Sequence, residues 1–228
     1  IEGEDFQMIA CKGAEEAAQI VKELYVKELA VHGMDQVQIL SPYKVRSAAG
    51  VIEINRTIQD LVNPPISGKK ELHSHDHIFR EGDKVIQNKN TEVASSADMG
   101  ILTEISEDKD GNPLARIVFP DGRSVLYEAD QMDMAEHANA ITIHKSQGNE
   151  CQVVIIPWVW AFYKMLKRNI LYTGITRAKQ KVYLVGEKKA ITVAIKQEST
   201  GTRNTILAER IRYYCDISVS YTHLTLPT

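Results

Sequence analysis

The sequence predicts an α/β fold: a parallel sheet covered by helices, interrupted by a small antiparallel β-barrel. Three observations carry this. Strand-like and helix-like segments alternate over roughly the first 65 residues; short, turn-rich runs replace them between about Ser67 and Glu136; and the alternating texture resumes from Ala140. Alternating β and α segments mark a parallel sheet, and closely spaced short strands with frequent turns mark a small barrel.

Taken in order, Phe6–Ala10 reads as a strand. Residues 13–31 read as a helix, with Ala17, Ile20, Val21, Leu24 and Val31 at roughly 3.6-residue spacing and charged residues opposite. Glu15 and Glu16 sit in its first turn, where the helix dipole favours them, and Gly33 is a stop. Val37–Ser41 is a short apolar strand. A second helix follows, with Val51, Ile54, Asn55, Ile58, Leu61 and Val62 on one side, and Asn63-Pro64-Pro65 ends it. In the turn-rich stretch, Lys84–Gln87 and residues 101–105, 115–119 and 124–127 read as strands between Gly-, Asp- and Pro-containing turns. Beyond it, residues 140–143, 153–157 and 181–186 are strands, residues 163–177 and Lys188–Lys196 helices, and residues 205–214 a last helix. Residues 218–228 (SVSYTHLTLPT) abandon the charged pattern, resemble a translated adapter tail and are set aside. The chain opens at Ile1 within a strand-like run, as a segment cut from a longer one does.

Composition bounds the function. Of 228 residues 43% are hydrophobic, enough for a sizeable core. The net charge of −3 excludes a wholesale polycation but not a local basic groove. No apolar run approaches the about 18 residues of a membrane span, so no membrane partner is expected, and no secretory leader pattern is visible at the start. Cys11, Cys151 and Cys215 lie far apart, form no CxxC and read as reduced thiols of a cytoplasmic protein.

Three segments carry chemistry. In residues 140–150 (AITIHKSQGNE) a strand ends in a polar turn of hydroxyl, imidazole, ammonium, amide and glycine groups, suited to phosphate binding; alternatively, Ser146 and Asn149 simply cap the next element. In residues 169–179 (NILYTGITRAK) a helix presents Thr173, Thr176 and Arg177 beside a buried strand, a place where a guanidinium can be held rigidly against a phosphate oxygen; alone, it is an ordinary helix-surface arginine. In residues 38–44 (QILSPYK) Ser41-Pro42 stops a strand, and Lys44 or Arg46 projects beyond its carboxyl end, where open parallel sheets bind ligands; a solvated basic loop is the other reading.

Together, and in this order, the three segments resemble motifs IV, V and VI in the C-terminal half of a RecD-like superfamily 1 DNA helicase, a UvrD-like helicase C-terminal domain. The resemblance covers residues 6–212, and GDKVIQNKN (residues 82–90) is similar to the start of that family's SH3-like barrel. It implies a P-loop NTPase second motor domain, RecA-like, in two parts (residues 1–67 and 137–213), an SH3-like barrel at 68–136 and a non-native-looking tail at 214–228. It further implies an ATP-dependent 5′–3′ DNA helicase. The phosphate loop and most Mg²⁺ contacts would come from a partner N-terminal RecA-like domain, for the chain holds no GxxxxGK[ST]; alone it should not hydrolyse ATP. Arg177 would be the arginine finger. Lys44 (or Arg46) would be a second phosphate sensor, and Gln147, Gly148, Glu150 and Thr176 would line the nucleotide edge. Ser41, Pro42, Thr142, His144, Lys145 and Ser146 would face single-stranded or duplex DNA. Departures are Cys151 for the usual aromatic, Asn149 for the usual Ser, and Ser95-Ser96-Ala97-Asp98 for the barrel's Asn-Gly hairpin; the last puts barrel–DNA contacts in doubt. Two other readings stay open: the helicase half of a conjugative relaxase, and a non-catalytic nucleic-acid-binding module.

The remaining features are bland. His73, His75 and His77 alternate, which would share a strand face and suit a metal, but a solvated loop entering the barrel is the expectation, and no metal site is expected. Trp158 and Trp160 are expected in packing rather than base stacking.

Overall fold

The computed structural model describes residues 5–45, 47–90 and 94–196. The expected helix at 205–214, Arg46, Cys215 and the tail lie outside them. The elements are β1 (Phe6–Ala10), α1 (Ala14–His32), β2 (Val37–Ser41), α2 (Val51–Val62), β3 (Glu71–Ser74), β4 (His77–Arg80), β5 (Lys84–Gln87), β6 (Met99–Glu107), β7 (Pro113–Val118), β8 (Ser124–Glu128), β9 (Ala135–His137), β10 (Ala140–Thr142), β11 (Cys151–Trp158), α3 (Arg168–Ile175), β12 (Ala178–Gly186) and α4 (Lys188–Lys196).

A five-stranded sheet, order β1-β12-β11-β2-β10, is parallel throughout. Its inner strands are near-continuous apolar runs, as burial on both faces demands: Val153, Val154, Ile155 and Ile156 of β11 are all fully buried. The α1 crossover runs one way along the sheet and the α3 crossover the other. Right-handed connections then put the two helices on opposite faces. In α1, Ala17, Val21 and Tyr25 are buried, and Tyr25 donates to Asn139 Oδ1 at 2.9 Å. The helix ends as the glycine predicts, Gly33 adopting φ 82° with its N–H on Leu29 O. Asn55 of α2 donates to the carbonyls of His137 and Ala140 (2.9 and 2.8 Å) and accepts the Ala140 N–H (2.7 Å), so it closes the backbone of edge strand β10.

The turn-rich stretch forms an antiparallel sheet of order β8-β7-β6-β5-β9 and a β3–β4 hairpin. It has its own core, including Leu72, Phe79, Val85, Leu102, Ile117 and Tyr127. Strand β5 is shared: Val85 faces this core and Ile86 the core of the parallel sheet, by the period-two alternation of a strand.

Two expectations are corrected. Residues 163–177 are not one helix: a 3-10 turn at Trp160–Met165 precedes α3, and Lys167 is extended. The histidines are not all in a loop, nor do they share a face. His73 lies on β3 and His77 on β4, and His75 sits in the turn between them with φ 48°. Among the described residues no group of three His, Cys, Asp or Glu could hold a metal ion, and no helix is long and apolar enough to cross a membrane. Trp158 is fully buried, its indole N–H on Ala190 O, whereas Trp160 is exposed under the Lys189 ammonium. Cys11 and Cys151 are buried free thiols. Burial pushes the Cys11 thiol up to about 11, the behaviour of an inert packing group.

Candidate functional site

The chain leaves the carboxyl end of β10 at Thr142 and returns through residues 143–150 to the amino end of β11. This turn is tightly wound. Ser146 Oγ donates to Ile143 O at 2.7 Å, Asn149 N to Ser146 O at 3.0 Å, and Lys145 N to Thr142 Oγ1 at 3.3 Å. Gly148 has φ +93°, a conformation a Cβ disfavours. At the amino end of β11, Cys151 N donates to Arg177 O at 3.0 Å. Lys179 Nζ lies 3.5 Å from Glu150 Oε2. The segments around Glu150 and Arg177, 27 residues apart in sequence, thus stand side by side. Gly174 makes their packing close: a Cβ there would lie 3.1 Å from Ile156 Cδ1 and 3.4 Å from Ile143 Cδ1.

Arg177 follows α3 rather than belonging to it, because Thr176 already caps the helix. Its guanidinium is half-buried. Nη2 reaches only Thr176 Oγ1, at 3.4 Å, and the buried Nε has no partner. Among the described residues no carboxylate pairs with it, whereas Arg56, Arg80, Arg116 and Arg123 each hold at least one. A buried guanidinium donor left unpaired is costly, and an anion from outside the described residues would satisfy it. Thr176 donates its hydroxyl to Thr173 O at 3.1 Å. Gln147, Gly148 and Glu150 are exposed beside this point.

The carboxyl ends of β2 and β10 form a second place. Thr142 and Lys145 are half-buried there and His144 is exposed. Three residues expected to face DNA do not. Pro42 is buried, Ser41 is fully buried with its hydroxyl on Ala49 O at 2.9 Å, and Ser146 is 2% exposed with its hydroxyl likewise on a backbone carbonyl. These hydroxyls satisfy turn carbonyls and have none to offer a strand.

Lys44 is also displaced from its expected role. It follows the carboxyl end of β2, whereas Arg177 precedes the amino end of β12. The registers Cys151↔Ala178 and Val153↔Val37 put Ser41 about seven residues further along the sheet than Arg177, or roughly 20 Å at strand rise. The structure therefore does not bring Lys44 together with Arg177 and Glu150. Instead Lys44 Nζ meets Glu136 Oε1 at 2.6 Å, and Lys145 Nζ meets Glu136 Oε2 at 3.1 Å and also Asn88 Oδ1. Burial opposes the Glu136 charge, but the two lysines outweigh it and hold the carboxyl below the usual range. Beside Lys44 and Glu136, a cavity of about 450 Å³ opens between α2 and β4, lined also by Asn55, Arg56, His77 and Arg80.

Sequence reasoning missed Glu136, Asp83 and Lys84. The signal for the last two was a charged pair opening an apolar strand. Asp83 accepts from Gln59 Nε2 (2.6 Å), Asn63 Nδ2 (2.7 Å) and Arg80 N (2.7 Å). Lys84 is 2% exposed and donates to Met34 O, Val37 O and Gln38 Oε1 at 2.9–3.2 Å, while burial pulls its ammonium below the usual lysine range. Both tie the antiparallel unit to the parallel sheet that carries the site.

Comparison with known proteins agrees with this architecture. Residues 137–185, which span the turn and the Arg177 segment, match the UvrD-like helicase C-terminal domain. The chain is 30% identical over 204 residues to the ATP-dependent RecD2 DNA helicase of Deinococcus radiodurans, covering 88% of this chain but 26% of that protein. It is 33% identical over 102 residues to the RecBCD enzyme subunit RecD of Mycolicibacterium smegmatis, covering 42% of this chain and 18% of that one. The chain thus spans about a quarter or less of these relatives. Among solved structures, the Bacteroides Pif1 helicase in complex with ADP-AlF3 and ssDNA superposes with a TM-score of 0.52 at 17% identity, over 87% of this chain and 50% of that one; at this identity the likeness establishes the α/β fold alone. Residues 137–185 thus match a UvrD-like helicase C-terminal domain, and the chain is similar along 88% of its length to a RecD2 DNA helicase.

Proposed function

We propose that this chain is the second motor domain of an ATP-dependent 5′–3′ DNA helicase and that Arg177 is its arginine finger. The observation that carries the proposal is the half-buried Arg177 guanidinium, without an anion partner among the described residues, next to exposed Glu150. A γ-phosphate held by a first motor domain would pair with that guanidinium and be stabilised as charge develops on it in the transition state. Gln147, Gly148, Glu150 and Thr176 line the same nucleotide edge. Thr142, His144 and Lys145, at the opposite end of the sheet, contact a DNA strand. The turn from Thr142 to Glu150 spans both places, so cleft closure on the nucleotide shifts the strand contacts. The first motor domain supplies the phosphate loop and the Mg²⁺ ligands, and the isolated chain is inactive. In this reading residues 1–67 and 137–213 are the two parts of the motor domain, residues 68–136 an SH3-like unit, and the location cytoplasmic.

The test is single-strand-stimulated ATP turnover by the chain joined to its first motor domain, beside Arg177→Ala. Turnover should fall by about 10³ or more with folding and nucleotide binding intact. Equal turnover in both proteins would remove Arg177 from the reaction. No turnover in either would favour a binding module.

A further inference from the structure

We propose that Lys44 and Lys145 form a phosphate subsite for a DNA strand, and that Glu136 occupies this subsite in the free chain until the strand displaces it. The inference rests on the reading above that DNA runs along the carboxyl ends of β2 and β10.

The geometry is that of a filled anion site. One carboxylate spans two ammonium groups, Oε1 to Lys44 at 2.6 Å and Oε2 to Lys145 at 3.1 Å. The lysines come from adjacent strands: Lys44 lies three residues past Ser41 and Lys145 three past Thr142, and Ser41 and Thr142 are register partners. A phosphodiester also offers two free oxygens and a single negative charge. It can replace the carboxylate oxygen for oxygen with no change in net charge. The exchange is cheap, because the side chains of Lys44 and Lys145 are 45% and 32% exposed and pairs this open contribute little to stability. Glu136 can leave: its carboxylate bonds only to these two lysines among the described residues, and its solvent-facing side borders the open cavity beside α2. A nucleotide triphosphate is the poorer occupant. Lys44 stands roughly 20 Å from the Arg177–Glu150 edge by strand rise. Thr142 and His144, which can flank a strand, lie at the same end of the sheet.

Fluorescence anisotropy of a labelled oligo-dT with the full chain tests this. Glu136→Gln should tighten binding about 3- to 10-fold, the free energy of one or two partly exposed ion pairs. Lys44→Met and Lys145→Met should weaken it, and together they should flatten the slope of log K against log salt by about 0.7, one single-strand phosphate. In the Lys44→Met/Lys145→Met background, Glu136→Gln should change affinity less than about twofold, since its effect acts through those lysines. Equal tightening with and without the lysines would make Glu136 a general repulsive charge and overturn the proposal. So would a Lys44→Met defect seen with a fluorescent ATP analogue and absent with oligo-dT. If the chain binds oligo-dT and His144→Ala weakens it while Glu136→Gln has no effect, this proposal alone fails. If neither the chain nor Glu136→Gln binds oligo-dT, the DNA reading fails with it.

Discussion

Asp83 gathers the side-chain amides of Gln59 and Asn63, the backbone N–H of Arg80 and, at 3.3 Å, the His137 ring around one carboxylate that is 2% exposed. Truncation would strand these donors in a buried site, so Asp83→Ala should cost about 3 kcal/mol in chemical denaturation. The pH dependence follows. Burial pushes the carboxyl up, but His137, Asn63 and the Arg80 N–H outweigh it and hold it below the ordinary aspartate range. A carboxyl depressed in the native state stabilises it above the unfolded value, near about 4, and loses that contribution as pH falls through the native value. Urea midpoints taken from pH 6 down to pH 3 should therefore fall more steeply in the wild-type chain than in Asp83→Asn. Parallel curves would show that the Asp83 charge contributes nothing. Gly148 is a simpler case. A Cβ there meets nothing within 4 Å, yet φ is +93°, so Gly148→Ala should lose about 1 kcal/mol through backbone strain alone. An unchanged melting temperature would show that the turn relaxes.

Among the elements, α2 depends most on one polar residue. The three hydrogen bonds of Asn55 to the His137–Ala140 segment do for the edge of β10 what a further strand would do. Asn55→Ala should cost about 2–3 kcal/mol, and the Ala140 amide should lose its protection from hydrogen exchange; retained protection would mean that water or a neighbour replaces the side chain. The same element shows what a sequence can disclose. Its apolar side, Val51, Ile54, Asn55 and Ile58, and its stop at Asn63 were legible because helix periodicity and proline act locally. So were the strands of both sheets except β9, three residues too short to show an alternation, and the pairing of the 140–150 and 169–179 segments as one motif set. The β3–β4 hairpin was not, because its histidines and Ser74 hide the alternation that Leu72 and Phe79 complete only once paired. Nor was the break before α3, which follows from packing rather than propensity. Within the site, residue types were legible and their freedom was not. Serine hydroxyls at 41 and 146 look alike in sequence whether they face a ligand or close a turn. The roughly 20 Å between Lys44 and Arg177 depends on strand register, which no local pattern encodes.

For the whole described molecule the question is whether two cores behave as one. They share β5, whose Val85 belongs to one core and Ile86 to the other, and Lys84 crosses to the backbone that precedes and opens β2. Neither core can be completed without that strand, so the two sheets should unfold in a single cooperative transition. The chain offers a clean observation of this. Its two tryptophans, Trp158 and Trp160, lie on the parallel-sheet side, and the antiparallel sheet has none. Tryptophan fluorescence therefore reports one core, while far-UV circular dichroism reports both. The two signals should share one denaturation midpoint in the wild-type chain. In Lys84→Ala, which leaves a cavity and unsatisfied carbonyls in the seam, the shared midpoint should fall by the equivalent of about 3 kcal/mol, and the two curves should begin to separate. Lys84→Met fills most of the same volume without burying an ammonium, so it should lie closer to the wild type. Distinct midpoints already in the wild-type chain would mean that β5 joins the sheets geometrically but not energetically, and that contacts at one could not be transmitted through it to the other.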